Sequence, residues 1–203
     1  MIYTNKIIHG NCVEVLRNLP HSSFDICITS PPYNVDLGNN KYNKNTYDTY
    51  SDDMPYPEYI KWLKLVFSEV LRTMKPGGRI CINIGDGQNG RIPTHADITN
   101  FMVNEFKCLM MTTIIWEKSQ ISNRTSWGSW LSPSCPSFPT PFEYIMVFAK
   151  DSIKLLDGGE TDIQKQEFID WSLAHWKMTP ETQTNTLYNH PAMFPLDVPY
   201  RLL

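Results

Sequence analysis

The sequence predicts an α/β fold: a mostly parallel sheet with helices on both faces. Three observations carry that expectation. Residues 24–29 form a short, largely apolar run, the pattern of a strand buried on both faces. Pro57 then opens a segment in which Ile60, Leu63, Phe67, Val70, Leu71 and Met74 recur at helical spacing. Lys75-Pro76-Gly77-Gly78 stops that helix just ahead of a second buried run, residues 79–84. Strand, helix and strand in succession are the signature of a parallel crossover unit.

The remaining elements fit around this unit. Ile7-Ile8 before His9-Gly10 reads as a short strand, and Val13, Leu16 and Leu19 recur at helical spacing until Pro20. Residues 34–53 are rich in Asn, Lys, Tyr and Asp without apolar period, a long polar loop of the kind that is disordered or functional. A helix is expected over 95–106, with Ile98, Phe101, Met102 and Phe106 facing inward. Two β-rich runs follow, 110–116 and 144–148, joined by a Ser-, Trp- and Pro-rich connection over 119–142. Beyond Lys150 the pattern weakens, and 151–189 reads as a mostly helical insert without strong sheet signals. No internal repeat is visible.

Composition narrows the class. The 203 residues suit one domain of ordinary size, 41% apolar and 19% charged, with six Trp and ten Tyr. No run of about eighteen apolar residues is present, and the first residues lack a signal-peptide core, so a cytoplasmic location is expected. The five cysteines are widely spaced and odd in number, without a CxxC pair or Cys/His cluster, which argues against disulfides and zinc. A net charge of −3 counts mildly against nucleic acid, but a local basic face is all such a partner needs.

The chemistry is expected at the end of the run 24–29. Ligands of open α/β sheets sit outside the carboxyl ends of the strands, and Ser30-Pro31-Pro32-Tyr33 occupies that place. The two prolines fix the backbone and remove two N–H donors, leaving carbonyls aimed in set directions. Ser30 adds an acceptor and Tyr33 an aromatic face. Such a set can grip the exocyclic amine of a planar base while the ring stacks on Tyr33. The same residues also fit a plain strand-ending turn.

The surrounding segments favour the chemical reading. Thr29-Ser30-Pro31-Pro32-Tyr33-Asn34 resembles the catalytic motif of amino-methylating DNA methyltransferases, which modify cytosine N4 or adenine N6. Four more segments resemble that family in the same order. They are His9-Gly10-Asn11-Cys12; Lys75-Pro76-Gly77-Gly78-Arg79 with Asn83-Ile84; Thr125 to Trp130 with Ser132-Pro133 and then Glu143 to Lys150; and His190-Pro191-Ala192-Met193-Phe194-Pro195 with Arg201-Leu202. The order is that of the family's β group, in which target recognition follows catalysis and donor binding comes last, as in restriction-modification methylases.

The resemblance implies a Rossmann-like methyltransferase sheet and S-adenosylmethionine as methyl donor. It implies a catalytic region over 1–150, target recognition over 151–189 with parts of 119–142, and the start of the donor-binding region over 190–203. Ser30 and a Pro31 carbonyl would hold the target amine, and Pro32 and Tyr33 would complete the site. Asn11, Cys12, His190, Pro191, Ala192 and Phe194 would face the donor, though His190 equally suits a helix cap before Pro191. Double-stranded DNA is the implied partner, with Asn34, Lys41, Lys44, Lys118 and Arg124 as candidate contacts; a solvated loop is the plain alternative for 34–53. Packing at the sheet edge is the plain alternative for Tyr33. Trp127 and Trp130 fit core or edge packing better than base wedging. Ser30 favours cytosine N4 over adenine N6, where the family more often carries Asp.

Two departures stand out. Asn11 occupies a position where the family usually has Asp, keeping the carbonyl but losing the charge. The glycine-rich turn that contacts the donor's methionine part is expected after Leu203, so the donor-binding part is expected to be incomplete and binding by this chain weak. A truncated gene or a second subunit that supplies the missing part fits that expectation, as does a non-catalytic DNA-binding role; a cognate restriction endonuclease is a separate expected partner. Methylation of RNA or a protein amide is a further alternative, since related Pro-Pro-Tyr motifs serve those substrates.

Overall fold

The computed structural model describes residues 5–35, 52–119, 128–156, 159–181 and 193–203. Helix α1 (Cys12–Arg17) starts where the Asn11 side chain accepts from the Val13 and Glu14 N–H groups, satisfying donors that a helix start leaves unpaired. Strand β1 (Phe24–Thr29) follows. Residues 5–10 form no strand, and Ile7 is fully exposed, so the expected Ile7-Ile8 strand is absent. Two apolar residues without a paired neighbour cannot hold a ladder.

Helix α2 (Tyr56–Thr73) has proline in its first turn, where a missing N–H costs nothing, and Glu58 beside it. Its buried face carries Tyr59, Leu63, Phe67 and Val70. Arg72 ties α1 to α2 by donating to the Leu16 and Leu19 carbonyls. Strand β2 (Met74–Ile84) starts directly after α2, earlier than the sequence suggests. Within β2 the pairing with β1 jumps from Met74 to Arg79, and Gly77 takes φ +81° in that irregular stretch; a Cβ there would collide with the Lys154 carbonyl oxygen. Helix α3 (Thr94–Asn100) continues into a π-helical turn, Phe101–Glu105, which together cover the expected helix. Strands β3 (Leu109–Lys118) and β4 (Phe142–Ala149) come next, followed by α4 (Lys165–Trp171), β5 (His175–Met178) and α5 (Asp197–Leu202).

The sheet order is β1-β2-β4-β3-β5. Pairings β1–β2 and β3–β5 are parallel; β2–β4 and β3–β4 are antiparallel. The sheet is therefore mixed, and the expectation of a mostly parallel one is corrected. Among the described residues no helix lies between β3 and β4, so β4 runs back beside β3 rather than crossing over. Apolar runs covered on both faces look alike in either direction, which is why periodicity did not separate them. A second correction concerns 151–189: β5 lies within it and extends the sheet beside β3.

The sheet is covered on both faces. Ile80, Ile82, Ile84, Met146 and Phe148 face α2 and α3, packing with Leu63, Phe67, Ile98 and Phe101. Ile145 and Val147 face the opposite way, toward Trp116, Trp176, Met178 and Val198 of α5. Phe67 is 1% exposed, and truncating such a side chain to Ala costs about 3–5 kcal/mol.

Candidate active site

The site forms where β1 and β2 end and β4 begins. Proline lacks the N–H a ladder needs, so β1 stops at Thr29 and the chain turns through Ser30-Pro31-Pro32-Tyr33. Two clamps fix this turn. The buried Tyr59 hydroxyl donates to the Pro32 carbonyl at 2.6 Å. Beyond it, the buried Asp52 carboxylate accepts from the Asn34 and Val35 N–H groups at 2.9 and 3.1 Å. Asn34 adopts φ +57°, a conformation asparagine tolerates better than most residues. Its side-chain amide both donates to the Met54 carbonyl and accepts from the Met54 N–H, each at 2.8 Å.

A hydrogen-bonded chain runs inward from the turn. Ser30 Oγ donates to the Tyr33 hydroxyl oxygen at 3.1 Å, and that hydroxyl donates to Glu143 Oε2 at 2.7 Å. Asn83, near the end of β2, directs its Nδ2 at Glu143 Oε2 and at the Tyr33 hydroxyl, at 2.8 and 2.7 Å, and more distantly at Ser30 Oγ. Lys118 Nζ pairs with Glu143 Oε1 at 2.5 Å. The Asn83 Oδ1 atom is buried without a partner among the described residues. Burial and the neighbouring Glu143 carboxylate push the Tyr33 phenol well above its usual range, so it stays a neutral donor. Gly85 underlies the Tyr33 ring.

Next to this network, Asp86, Gly90, Arg91, Phe138, Thr140 and Tyr144 line a cleft of about 390 Å³. His95 borders it, its Nδ1 at 2.7 Å from Asp86 Oδ1 and its ring stacked on Tyr144 at 3.8 Å.

Ser30, Pro31, Pro32 and Tyr33 thus occupy one clamped turn. Asn11 and Cys12 lie at the start of α1, and no hydrogen bond or ion pair among the described residues joins them to the network. Phe194 packs, half-buried, on the α5 side of the sheet. Lys41, Lys44, Arg124, Trp127, His190, Pro191 and Ala192 lie outside the described residues. Two candidate DNA contacts are engaged within the protein. Asn34 has both ends of its amide on Met54, and Lys118 has its charge against Glu143 and its ammonium 5.5 Å from the Trp116 ring centre. Trp130 is 67% exposed and is not a core residue. Sequence reasoning missed Asn83, Gly85, Asp52, Tyr59 and Glu143 as parts of the site. The available signals were a Glu near the start of an otherwise apolar strand and the place of Asn83 and Glu143 in segments that resemble the family.

The DNA methylase family profile of amino-methylating enzymes covers residues 24–203. The chain belongs to this family of S-adenosylmethionine-dependent DNA methyltransferases. The type II methyltransferase M.MjaVI of Methanocaldococcus jannaschii is 39% identical over 176 residues, 85% of this chain and 86% of that protein. M.BglII of Bacillus subtilis is 34% identical over 83 residues, 41% of this chain but 20% of its own length. Among solved structures, the putative DNA modification methylase TTHA0409 of Thermus thermophilus, complexed with S-adenosylmethionine, superposes with a TM-score of 0.67 at 26% identity, over 96% of this chain and 71% of that one. The family includes cytosine-N4 and adenine-N6 enzymes, and its members methylate an exocyclic amino group. Among the described residues no helix is long and apolar enough to cross a membrane.

Proposed function

We propose that Ser30-Pro31-Pro32-Tyr33 receives a base flipped out of duplex DNA and that cytosine N4 is the favoured target over adenine N6. One observation carries this reading: the turn keeps two acceptors for an amine that has two hydrogens. The Ser30 hydrogen is engaged by Tyr33 and the Pro32 carbonyl by Tyr59, while no described donor reaches the Pro31 carbonyl. Ser30 Oγ, which also takes a long 3.4 Å bond from Asn83 Nδ2, keeps one lone pair, and the Pro31 oxygen remains.

A base inside the duplex is out of reach, and extruding it costs a few kcal/mol. An aromatic amine is a weak nucleophile because its lone pair is delocalised into the ring. Accepting its two N–H bonds at Ser30 and Pro31 raises electron density on nitrogen, and the Tyr33 ring holds the base plane. Holding the nitrogen in line for attack removes much of the remaining barrier. The preference for cytosine rests on the resemblance, in which Ser stands at position 30 where adenine-N6 enzymes more often carry Asp.

S-adenosylmethionine supplies an electrophilic methyl group when bound. Asn11, Cys12 and Phe194, with His190, Pro191 and Ala192, are the residues proposed to hold it. The chemistry of the described part of that set fits: the Asn11 carbonyl is engaged by α1, leaving its NH2 as a donor for adenine nitrogens, beside the exposed Cys12, and Phe194 offers an aromatic face. Residues 151–185, with parts of 119–142, are proposed to read the DNA sequence.

The test is to incubate the protein with labelled S-adenosylmethionine and unmethylated DNA, then hydrolyse the DNA to nucleosides. N4-methylcytosine is expected; N6-methyladenine would reverse the base preference, and no label in either would remove the reading. Tyr33→Ala should lose most turnover, because stacking contributes about 1–3 kcal/mol per base. A thermal melt alongside separates this from the stability lost with a ring that packs on the core and whose hydroxyl donates to Glu143.

A further inference from the structure

We infer that Glu143 is a positioning residue for methyl transfer: anchored by Lys118, it sets the direction of the Tyr33–Ser30 hydrogen bonds so that Ser30 Oγ faces the target amine as an acceptor. The inference rests on the proposed role of Ser30.

A hydroxyl has one hydrogen and can point it either way along a chain, whereas an ionised carboxylate can only accept. The chain here ends on a carboxylate. Tyr33 must therefore donate to Glu143 Oε2, its oxygen is left to accept, and Ser30 donates to it. With its hydrogen turned inward and one lone pair taken at 3.4 Å by Asn83 Nδ2, Ser30 keeps its other lone pair for the amine. Without the carboxylate, Tyr33 can donate to Ser30 instead. The Ser30 hydrogen then points at the amine hydrogens, and the site repels its substrate group.

Three features hold Glu143 in this role. It is 8% exposed, where an unpaired carboxylate is unfavourable, and Lys118 at 2.5 Å neutralises it. Asn83 Nδ2 donates to the same Oε2 that Tyr33 reaches, fixing that oxygen between two donors. Hydrogen bonds to an ionised acceptor are roughly twice as strong as neutral ones, and successive bonds polarise one another. The carboxylate thus also makes Ser30 Oγ the richer acceptor. A glutamine cannot replace it, because one carbonyl oxygen would have to serve Tyr33, Asn83 and Lys118 together.

The test is a double-mutant cycle in the full chain, reading methyl transfer from tritiated S-adenosylmethionine to unmethylated phage DNA. Tyr33→Phe keeps the stacking ring and removes the hydroxyl; Glu143→Gln keeps the shape and removes the charge. Each should lower kcat about ten- to a hundredfold with the KM for DNA unchanged. The double variant should be no worse than the poorer single one. A purely structural role would instead give additive losses, a raised KM and a preserved kcat, and would overturn the inference. Ser30→Ala separates the two levels: if it is fully active, the reading of Ser30 fails; if it is impaired while Tyr33→Phe turns over normally, only the inference about Glu143 fails. A readout independent of turnover uses protein labelled with 13C at tyrosine Cζ. Glu143→Gln should shift the Tyr33 resonance, and the surface control Glu117→Gln should leave it in place. An unmoved Tyr33 signal in Glu143→Gln overturns the inference.

Discussion

The Tyr33 ring lies against the backbone of Gly85: a Cβ at that position would sit 3.3 Å from Tyr33 Cε2 and 3.6 Å from Glu143 Cγ. The first contact is tight enough that the Tyr33 ring must give way by a few tenths of an ångström, whereas the second is ordinary van der Waals contact. Tyr33 cannot retreat freely, because its hydroxyl is held 2.7 Å from Glu143. Gly85→Ala should therefore displace the ring and lower kcat by about tenfold, the scale on which small misplacements act. Steady-state turnover beside a thermal melt checks this. An Ala variant with full activity would show that the ring position is not critical.

Asp52 holds the backbone after the Pro-Pro turn through two N–H groups. Asp52→Ala should destabilise the protein by about 0.5–1.5 kcal/mol, since it takes the acceptor from two partly buried N–H groups that water can reach in part. Asp52→Asn keeps one acceptor and should fall between. Urea unfolding midpoints give the order, and equal midpoints for all three proteins would contradict it.

Lys118→Met tests what the Lys118 charge does. It removes the partner of a buried carboxylate and should cost about 1–3 kcal/mol, less than a fully buried pair because the Lys118 side chain is 28% exposed. If Lys118 serves Glu143 rather than a phosphate, the salt dependence of duplex binding should be unchanged. A phosphate contact would reduce the log–log slope by about 0.9. Fluorescence anisotropy across a salt series distinguishes the two.

Stability should fall in alkaline solution. Burial pushes the Cys27 and Cys108 thiols up to about 11 and Cys81 to about 12 from an ordinary value of 9.0. An acid raised on folding contributes stability that is complete below its unfolded value and lost as pH climbs toward the folded one. Urea midpoints should thus hold up to about pH 9 and decline between about 9 and 11. A flat profile through pH 11 would mean these thiols ionise as readily folded as unfolded.

Much of the site's position was legible before the structure. The prolines at 31 and 32 end β1 for the reason their chemistry dictates, and the spacing of Leu63, Phe67 and Val70 marked α2. What could not be read was partnership across the chain. Tyr33 and Glu143 are 110 residues apart, and nothing local to either announces the other. Lys118 and Asn34 looked like surface polar groups because the sequence does not display the carboxylate and backbone groups that engage them. Strand direction was hidden for a similar reason, since Tyr144 to Ala149 pairs with β2 and β3 antiparallel on both sides.

Strand β5 constrains how the segment after Lys150 can be exchanged between relatives. Trp176 and Met178 belong to the core on the α5 face, and Ile115 to Lys118 hydrogen-bond along His175 to Met178. A graft that replaces 151–185 whole would strip an edge from the sheet and uncover Trp116. A narrower cassette, 151–172, leaves the host's own strand in place. Chimeras cut at that boundary should express as folded protein, whereas those cut beyond Met178 should aggregate unless the donor brings an equivalent strand. Modularity in this fold would then stop at a hydrogen-bonded edge rather than at a loop.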